Sequence, residues 1–469
     1  MRINRRHLLQ RIGLSSVAAT LVSSDALAAT TDQELPISLS DLRGTANANK
    51  LGLRPGAVDD QSKRLQEILD RAAQKNKPVF LPPGNYYVSN LLLPSRTRLM
   101  GVPGASRLVY SGNGHFLIGE NADHIEISGI VADGANRDLY EYAAAAIQLS
   151  NISHAVIDNC HIIGSTARGI QIERSAGRIE RTQISGCTGD SAVYGLENNA
   201  LKIDGNIISD CYGGGVTVHR WNRESDGTTV TNNRITRVGI DAKTAIGGGD
   251  PKPEYFGIKV FRADNCMLSG NRVTGVLGTG IKVSNCDGVQ ITGNTCLQSQ
   301  GGGIVCDMQS SGLMLTSNLI NGGTGGISVS SNRQDGLPSV CTGNIVRNIE
   351  TAKEEPDDFA SGNGITVERD VTLSSNVIDG VERYGLRLGW GEELGDVIAT
   401  GNIIRGAEVG IYVSVVEAAG SAQIADNTIS RTTLGKIVGF RWSEAVTGDL
   451  TSMPEPQYSH LSIRRNSAS

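Results

Sequence analysis

The segments Gly257-Ile258-Lys259-Val260 and Gly280-Ile281-Lys282-Val283, with Asn271 between them and Asn294 after them, contain the repeat that decides the fold. Each unit consists of a glycine, an apolar residue, a variable residue and a second apolar residue. An alternating apolar stretch that ends in asparagine follows the unit. Further units begin at Gly169, Gly215, Gly303, Gly326, Gly364, Gly385 and Gly410. The same two elements thus recur over most of the chain.

The asparagines set the period of the repeat. They are Asn206, Asn233, Asn271, Asn294, Asn318, Asn344, Asn376, Asn402, Asn427 and Asn466. Their successive separations are 27, 38, 23, 24, 26, 32, 26, 25 and 39 residues. A base period in the middle twenties with occasional longer turns indicates a solenoid, in which each repeat stacks on the one before it.

Each repeat contains short runs of period two, which are interrupted by glycine and are too short for helices. Stacking such coils about 4.8 Å apart pairs every strand with its counterpart one coil later, and the inward aliphatic side chains form a continuous core. Asparagine suits one turn because its amide bonds the coils above and below it while it tolerates a left-handed backbone. We therefore predict an all-β protein, a single-stranded right-handed parallel β-helix (solenoid) with an N-terminal amphipathic capping helix.

Two other solenoids share parts of this pattern. A leucine-rich repeat also places asparagine at a period of about 20 to 29 residues. In this chain the aliphatic residues are mainly Ile and Val, and the asparagine is usually preceded by Gly, Ser, Asp or Asn. A calcium-binding nonapeptide roll would repeat a segment such as Gly247-Gly248-Gly249-Asp250, which occurs once. The β-helix is therefore the better interpretation.

An amphipathic helix is predicted between Asp60 and Asn76, with Asp60 or Ser62 as its N-cap. Its apolar face comprises Leu65, Ile68, Leu69 and Ala72. A solenoid needs such a cover because its end coil would otherwise expose the core to water. We expect residues 1–28 to form an export signal, residues 29–78 the N-terminal segment with the capping helix, and residues 79–469 the β-helix.

The first 28 residues have the order of charged, apolar and small residues that is typical of a cleavable export signal. Arg5 and Arg6 form the pair of a twin-arginine signal, and Ala26-Leu27-Ala28 fits the cleavage pattern. Neither the apolar stretch from Ile12 to Val22 nor any later segment is suited to span a bilayer. We expect export by the twin-arginine translocation machinery and a periplasmic or secreted location, with an ordinary secretory signal or a membrane anchor as alternatives.

Charge and cysteine usage argue against a nucleic-acid-binding protein and against a zinc site. The formal net charge is -5, and residues 1–28 carry four Arg and one Asp, so the chain without them has a charge of -8, which argues against nucleic-acid binding. The eight cysteines follow no zinc spacing. Most of them stand where the repeat requires a small apolar residue, so we expect buried thiols. Cys187 and Cys211 fall on neighbouring coils, which leaves a disulfide open.

The segment Leu53-Arg54-Pro55-Gly56, the pair Asp59-Asp60, the turn Leu81-Pro82-Pro83-Gly84-Asn85-Tyr86 and the later Asp133-Gly134 resemble the N-terminal region of pectate-lyase-like right-handed β-helix proteins. With the arginine pair and the repeats, the chain is most similar to the twin-arginine-translocated repeat proteins of that superfamily. The resemblance covers nearly all of the chain after residue 28 and implies the fold and the cap, but no reaction. The Asn-x-Asp, Asp-Asp, Gly-His-Gly and Arg-x-Lys set of polygalacturonase-like hydrolases is not found in order.

The variable residues of the glycine units and the residues that follow the units should face outward from one long sheet. The candidate catalytic residues in or beside these two columns are Glu173, His219, Lys259, Arg262, Lys282 and Asp307. Lys259 and Lys282 should lie on adjacent coils, where like charges repel each other, so the pair is unexpected on a purely structural face. The competing interpretation is a solvated polar sheet with chance salt bridges.

Two reactions would use such a face. A polysaccharide lyase needs a cation that neutralises a uronate carboxylate and a base of lowered pKa, which a crowded lysine or arginine can supply. An inverting hydrolase needs two carboxylates that are spaced to admit water. The candidates for that pair are Glu173, Glu197, Asp190 and Asp307.

Tryptophans and loops flank the same face. Trp221, Trp390 and Trp442 follow the outward columns, where their rings would either stack on sugars or pack within loops. The insertions 239–256 and 348–362 and the segment 219–227 would border a groove. Their acidic residues leave calcium open as a cofactor, although such acids often serve only solubility. These residues are Asp241, Asp250, Glu254, Glu224 and Asp226.

The sequence thus predicts an exported β-helix protein that binds or cleaves a polysaccharide along the groove of one parallel sheet, as a lyase or a hydrolase. The alternative is a non-catalytic scaffold that binds glycan or protein partners in the cell envelope. If the protein is an enzyme of either kind, Lys259→Ala and Lys282→Ala should abolish turnover and leave the melting temperature nearly unchanged. The scaffold predicts no product from any glycan.

Overall fold

The computed structural model describes residues 44–239, 254–330, 333, 335–353, 360–452 and 458–467. Over these residues the chain winds as a right-handed parallel β-helix, which confirms the predicted fold class. One α-helix, Ser62–Gln74, is present in the described part, with short 3-10 segments at Asn49–Leu51, Gly391–Glu393 and Leu450–Ser452.

Three columns of parallel strands form the walls of the β-helix. The glycine sheet contains the glycine units, and its strands are Leu91–Leu92, Leu117–Ser128, Ala145–Asp158, Arg168–Glu173, Val193–Leu196, Gly214–Ser225, Phe256–Asp264, Thr279–Ser284, Thr295–Asp307, Leu319–Val329, Asn363–Val367, Tyr384–Leu388, Ile403–Ser414 and Thr428–Arg441. The asparagine sheet contains the strands before the asparagines, which are Ala46–Asn47, Val79–Leu81, Thr97–Gly101, Gly177–Glu180, Lys202–Asp204, Thr229–Thr231, Met267–Ser269, Gln290–Thr292, Met314–Thr316, Ser339–Thr342, Val371–Ser374, Val397–Thr400, Ala422–Ala425 and Leu461–Arg464.

The third sheet contains the strands after the asparagines, which are Gly84–Val88, Ser106–Tyr110, Val131–Asp133, His161–Ile163, Gln183–Ser185, Ile207–Cys211, Arg234–Val238, Arg272–Val276, Ile345–Ile349 and Val377–Val381. Several long strands take part in two sheets; Thr295–Asp307, for example, bends from the third sheet into the glycine sheet. The strand Glu444–Asp449 instead pairs antiparallel with the end of Thr428–Arg441.

The asparagine ladder stands at one corner of the cross-section. From Asn206 to Asn466, each side-chain Nδ2 donates to the Oδ1 of the next asparagine at 2.9–3.1 Å. Each Nδ2 also donates to a backbone carbonyl of the previous coil, as Asn318 does to Ile291 at 2.8 Å. All ten predicted asparagines are therefore vertical neighbours, and the repeat register deduced from them is correct.

The inward side chains of the glycine units form the core. Ile258, Val260, Ile281 and Val283 are fully buried, as the pattern predicts. The leading glycine is required because neighbouring coils approach closely there. A Cβ at Gly280 would lie 2.5 Å from the carbonyl oxygen of the glycine one coil later, which no side chain tolerates.

The capping helix buries its predicted face. Leu65, Ile68, Leu69 and Ala72 are all buried. The N-cap residue is Gln61 rather than Asp60 or Ser62 and makes no side-chain capping bond, although an Asp60 Oδ1 atom accepts the backbone N–H of Ser62 at 2.9 Å. Strand pairing begins before the predicted boundary at residue 79, because Ala46–Asn47 already pairs with Val79–Leu81. No helix among the described residues is long and apolar enough to cross a membrane.

All eight cysteines are buried free thiols, as the repeat pattern predicts. Burial raises the pKa of Cys296 and Cys341 to about 12, so these thiols remain protonated. Cys187 and Cys211 lie on neighbouring coils without a disulfide between them.

Candidate functional site

Four of the predicted site residues lie on successive coils of the glycine sheet. Lys259 pairs in register with Lys282, His219 pairs with the residue two positions after Lys259, and Asp307 follows one coil after the Lys282 strand. The predicted adjacency of the two lysines is therefore confirmed. Arg262 lies beside them, where its Nη1 atom donates to the carbonyl oxygen of Trp221 at 2.6 Å.

Glu173 lies at the N-terminal end of this patch, five coils or about 24 Å from Asp307. The strand Val193–Leu196 lies between the Glu173 and His219 strands, so two coils, or about 10 Å, separate these side chains. That strand has Gly195 at its second inward position and therefore lacks the repeat pattern. Glu173 instead forms an ion pair with its neighbour Arg174.

The carboxylate of Glu254 bridges the ammonium groups of both lysines. Its carboxylate accepts hydrogen bonds from Lys259 at 2.6 Å and from Lys282, and Lys282 also lies 3.4 Å from Asp307. Burial alone would raise the pKa of Glu254, but the two ammonium groups hold it below its ordinary value. Burial alone would lower the pKa of Lys282, but Glu254 and Asp307 raise it. This arrangement favours a positioning role for the lysines over that of a proton-accepting base.

His219 is enclosed by aromatic rings. Its Nδ1 atom lies 2.6 Å from the Tyr194 hydroxyl, and its ring contacts Trp221 and Phe261 at centroid distances of 4.9 and 5.4 Å. Burial lowers the pKa of His219, and the charges of Arg262 and Lys259 lower it further. The imidazole is therefore neutral near pH 7.

Glu224 and Asp226, two of the calcium candidates, are engaged by an arginine, and a third, Glu254, is engaged by the two lysines. Arg220 lies 3.1 Å from Glu224 and 3.5 Å from Asp226, and it also contacts Glu197 at 3.1 Å. The segment 219–227 is a bulged strand end rather than a loop. Within the described residues no three His, Cys, Asp or Glu side chains form a cluster that would hold a metal ion, and Asp241 and Asp250 lie outside those residues.

A groove of about 260 Å³ lies on the glycine sheet, on the C-terminal side of Lys282. Its lining residues are small or uncharged apart from Arg387. Val305, Ser328 and Thr366 form its base on successive coils, and Ser330 stands in the next column. The groove thus lies on the predicted face, but its centre is displaced from the lysine pair.

Glu368 was missed as a candidate by the sequence-based selection. It follows Val367 in the same outward column as Asp307 and Ser330. Burial raises the pKa of Glu368 to about 7, and the nearby negative charge of Glu393 contributes in the same direction. The signal that could have identified it was present, since the column of residues after the glycine units includes this position.

Aromatic residues cover the C-terminal end of the glycine sheet. Tyr412 is fully buried although it occupies an outward position, and it packs with Tyr384 and Phe440 at centroid distances of 5.1 and 4.3 Å. The guanidinium of Arg387 lies 4.6 Å from the ring centroid of Trp390. This part of the column is a second small core, so the expectation of a solvated polar face does not hold there.

The three tryptophans differ in exposure. Trp221 is 58% exposed and Trp442 is 47% exposed, while Trp390 is partly buried against Trp442 at a centroid distance of 5.9 Å. Trp221 is therefore the ring that stands most openly beside the His219 and Arg262 coils.

Comparison with solved structures gives several matches of low sequence identity. A mutant tailspike protein of E. coli bacteriophage HK620 in complex with a hexasaccharide has a TM-score of 0.51 and 11% identity, over 84% of this chain and 73% of that chain. DFA-IIIase from Arthrobacter chlorophenolicus A6 in complex with GF2 has a TM-score of 0.49 and 14% identity, over 76% of this chain and 93% of that chain. ORF18 of Geobacillus virus E2 has a TM-score of 0.45 and 17% identity, over 63% of this chain and only 59% of that chain. At these identities the likeness concerns the fold alone.

Comparison with protein families is more decisive. No curated protein matches the chain. The family described as "Rhamnogalacturonase A/epimerase, pectate lyase-like" matches residues 45–136, and the family described as "Right handed beta helix region" matches residues 106–235 and 224–441. The match to the right-handed β-helix family covers more than half of the chain and includes most of the coils that carry the asparagine ladder. The chain therefore belongs to the right-handed β-helix family.

Proposed function

We propose that the protein binds a polysaccharide on its glycine sheet and hydrolyses it with inversion, with Glu368 as general acid and Asp307 as the base that activates water. The observation that carries this proposal is the placement of two carboxyl groups in one outward column, with the Ser330 coil between them. Two coils correspond to about 10 Å, close to the separation of about 6.5–9.5 Å that inverting glycosidases use to admit a water molecule.

The environments of the two carboxyl groups differ in the required sense. Burial raises the pKa of Glu368 to about 7, so this group keeps a proton that it can donate to a leaving oxygen. Asp307 accepts a hydrogen bond from Ser284 and lies 3.4 Å from the Lys282 ammonium. Lys282, which Glu254 fixes in place, thereby positions the proposed base.

A groove beside the column of the two carboxyl groups offers hydroxyl groups to a sugar; its lining includes Ser330 of that column but neither Asp307 nor Glu368. It holds about 260 Å³ and presents the hydroxyl groups of Ser328, Ser330 and Thr366. The HK620 tailspike in complex with a hexasaccharide is an example of this fold with a bound glycan. For this chain, the support comes from the two carboxyl groups and the groove beside their column.

A lyase mechanism has less support. It would require a base of lowered pKa, whereas Glu254 and Asp307 raise the pKa of Lys282. If glycan binds without turnover, the protein is instead the non-catalytic scaffold that the sequence offers as the alternative.

A screen of neutral and acidic polysaccharides tests the proposal. Reducing ends report hydrolysis, and ultraviolet absorbance of an unsaturated uronate reports lyase activity. We expect reducing ends without ultraviolet absorbance, and a loss of at least about 100-fold in kcat for Glu368→Gln and for Asp307→Asn. Glu417→Gln is the matched control, because this exposed glutamate pairs with Arg441 outside the groove. Turnover retained in both variants, or no product from any polysaccharide, would contradict the catalytic assignment.

We further propose that residues 1–28 direct export by the twin-arginine pathway to the periplasm or beyond. The support is the Arg5-Arg6 pair with the apolar and small residues that follow it. Cell fractionation tests this, since Arg5→Lys with Arg6→Lys should leave the protein in the cytoplasm, whereas Arg11→Lys should not. Unchanged export of the double variant would refute it.

A further inference from the structure

Two successive coils of the β-helix are rich in glycine around one corner. Gly301, Gly302 and Gly303 occur in the strand Thr295–Asp307, and the next strand, Leu319–Val329, has Gly322, Gly323, Gly325 and Gly326. Gly302 pairs in register with Gly325, and Ser299 pairs with Gly323. The glycine-rich surface therefore continues from the third sheet across the corner to the glycine sheet.

This corner contains a second groove, of about 890 Å³. It shares Thr324 with the groove on the glycine sheet, so the two grooves adjoin at this residue. Its polar lining residues are Gln298, Gln300, Asn321, Asn348 and Thr351. Asn348 donates to Asn321 at 2.8 Å, which fixes the two amides on neighbouring coils.

The glycine-sheet groove is bounded along the axis of the β-helix. On its N-terminal side, Glu254 bridges Lys259 and Lys282 above the sheet. On its C-terminal side, Arg387 packs on Trp390 and Tyr412, and the aromatic cluster follows. Among the described residues, the side of the groove that neither of these groups borders is the glycine corner.

We infer that the glycan crosses the coils at this corner, and that the amide-lined groove on the third sheet is a further subsite for an uncharged oligosaccharide. Its chemistry is that of hydroxyl recognition, because side-chain amides both donate and accept hydrogen bonds. Charged groups at its edge are limited, among its lining residues, to Glu350 and Lys353. The inference rests on the proposed glycan-binding function but not on its catalytic step.

Two variants address this subsite. Gly325→Leu would fill the passage between the grooves, since a Cβ there meets only backbone atoms of Gly302, at 3.3 and 3.8 Å. Gln300→Ala removes an exposed amide without any change in the core. Gly448→Leu is the matched control, because a Cβ at that exposed glycine meets nothing within 4 Å.

The probes are gluco-, manno- and fructo-oligosaccharides and oligogalacturonates of two to eight units, titrated calorimetrically against the full chain carrying Glu368→Gln. We expect the affinity for one neutral series to increase with length. Gln300→Ala and Gly325→Leu should each lower the affinity for its longest members about tenfold and leave its shortest binding member unchanged. Unchanged melting temperatures would show that both variants fold.

Three results would overturn the inference: preferential binding of oligogalacturonates, wild-type affinity of both variants for the longest members, or no binding of any series. Failure of the hydrolase proposal looks different. In that case the length dependence and the variant effects are present, but the wild-type chain releases no reducing ends.

Discussion

Replacing Glu368 by Gln should make the protein more stable at alkaline pH. The folded state raises the pKa of this carboxyl from 4.5 to about 7, so between these values the folded chain keeps a proton that the unfolded chain has lost. The free energy of unfolding of the wild type therefore falls as the pH rises through this window. Since one pKa unit corresponds to about 1.4 kcal/mol, the full loss is about 3 kcal/mol.

Glutamine cannot ionise, so the variant should not show this loss. We expect the two proteins to differ little at pH 4.5 and the variant to be up to about 3 kcal/mol more stable at pH 8. Urea unfolding at a series of pH values measures the difference. Glu417→Gln is the control of opposite sign, because the hydrogen bond from Arg441 lowers the pKa of Glu417. A wild-type-to-variant difference that is independent of pH would refute the assignment of a raised pKa to Glu368.

Three further perturbations test the architecture. Asn318→Ala, which removes one hydrogen-bond partner from the side-chain amide of each ladder neighbour, should cost at least about 2 kcal/mol in urea unfolding, whereas Ala at the exposed Asn199 should cost under about 0.5 kcal/mol. Leu65→Ala in the capping helix should cost about 2–5 kcal/mol, because its side chain is fully buried; a melting temperature equal to that of the wild type would contradict the capping role. Ellman's reagent should find no reactive thiol in the native protein and all eight after unfolding; only six after unfolding would indicate a disulfide between Cys187 and Cys211.

The repeat itself could be predicted from the sequence because its determinants are local and periodic. Most coils of the repeat contain a glycine unit with its two alternating apolar residues and an asparagine at one turn. The placement of His219, Lys259, Lys282 and Asp307 on successive coils followed directly from that register. Glu173 lies on the same sheet, although the coil between it and His219 has Gly195 at an inward position and gives no periodic signal.

The environment of the site could not be predicted in the same way. Lys259 and Lys282 are bridged by Glu254, which precedes the strand Phe256–Asp264 and lies outside the repeating unit. Tyr412 occupies an outward position yet is buried, because its ring packs with Tyr384 and Phe440 and its hydroxyl donates to the carbonyl oxygen of Trp442. Both effects depend on contacts between segments that have no fixed spacing in the sequence.

The sequence alone therefore determined the class of fold, the period of the coils, the corner that holds the asparagine ladder and the face on which the polar columns lie. Only the tertiary structure decided which polar residues are paired, which are covered, and that Glu368 has a pKa near 7. The physical reason is that hydrogen-bonded stacking is set by a regular pattern along the chain, whereas burial and charge depend on whatever non-repeating segments lie above each position.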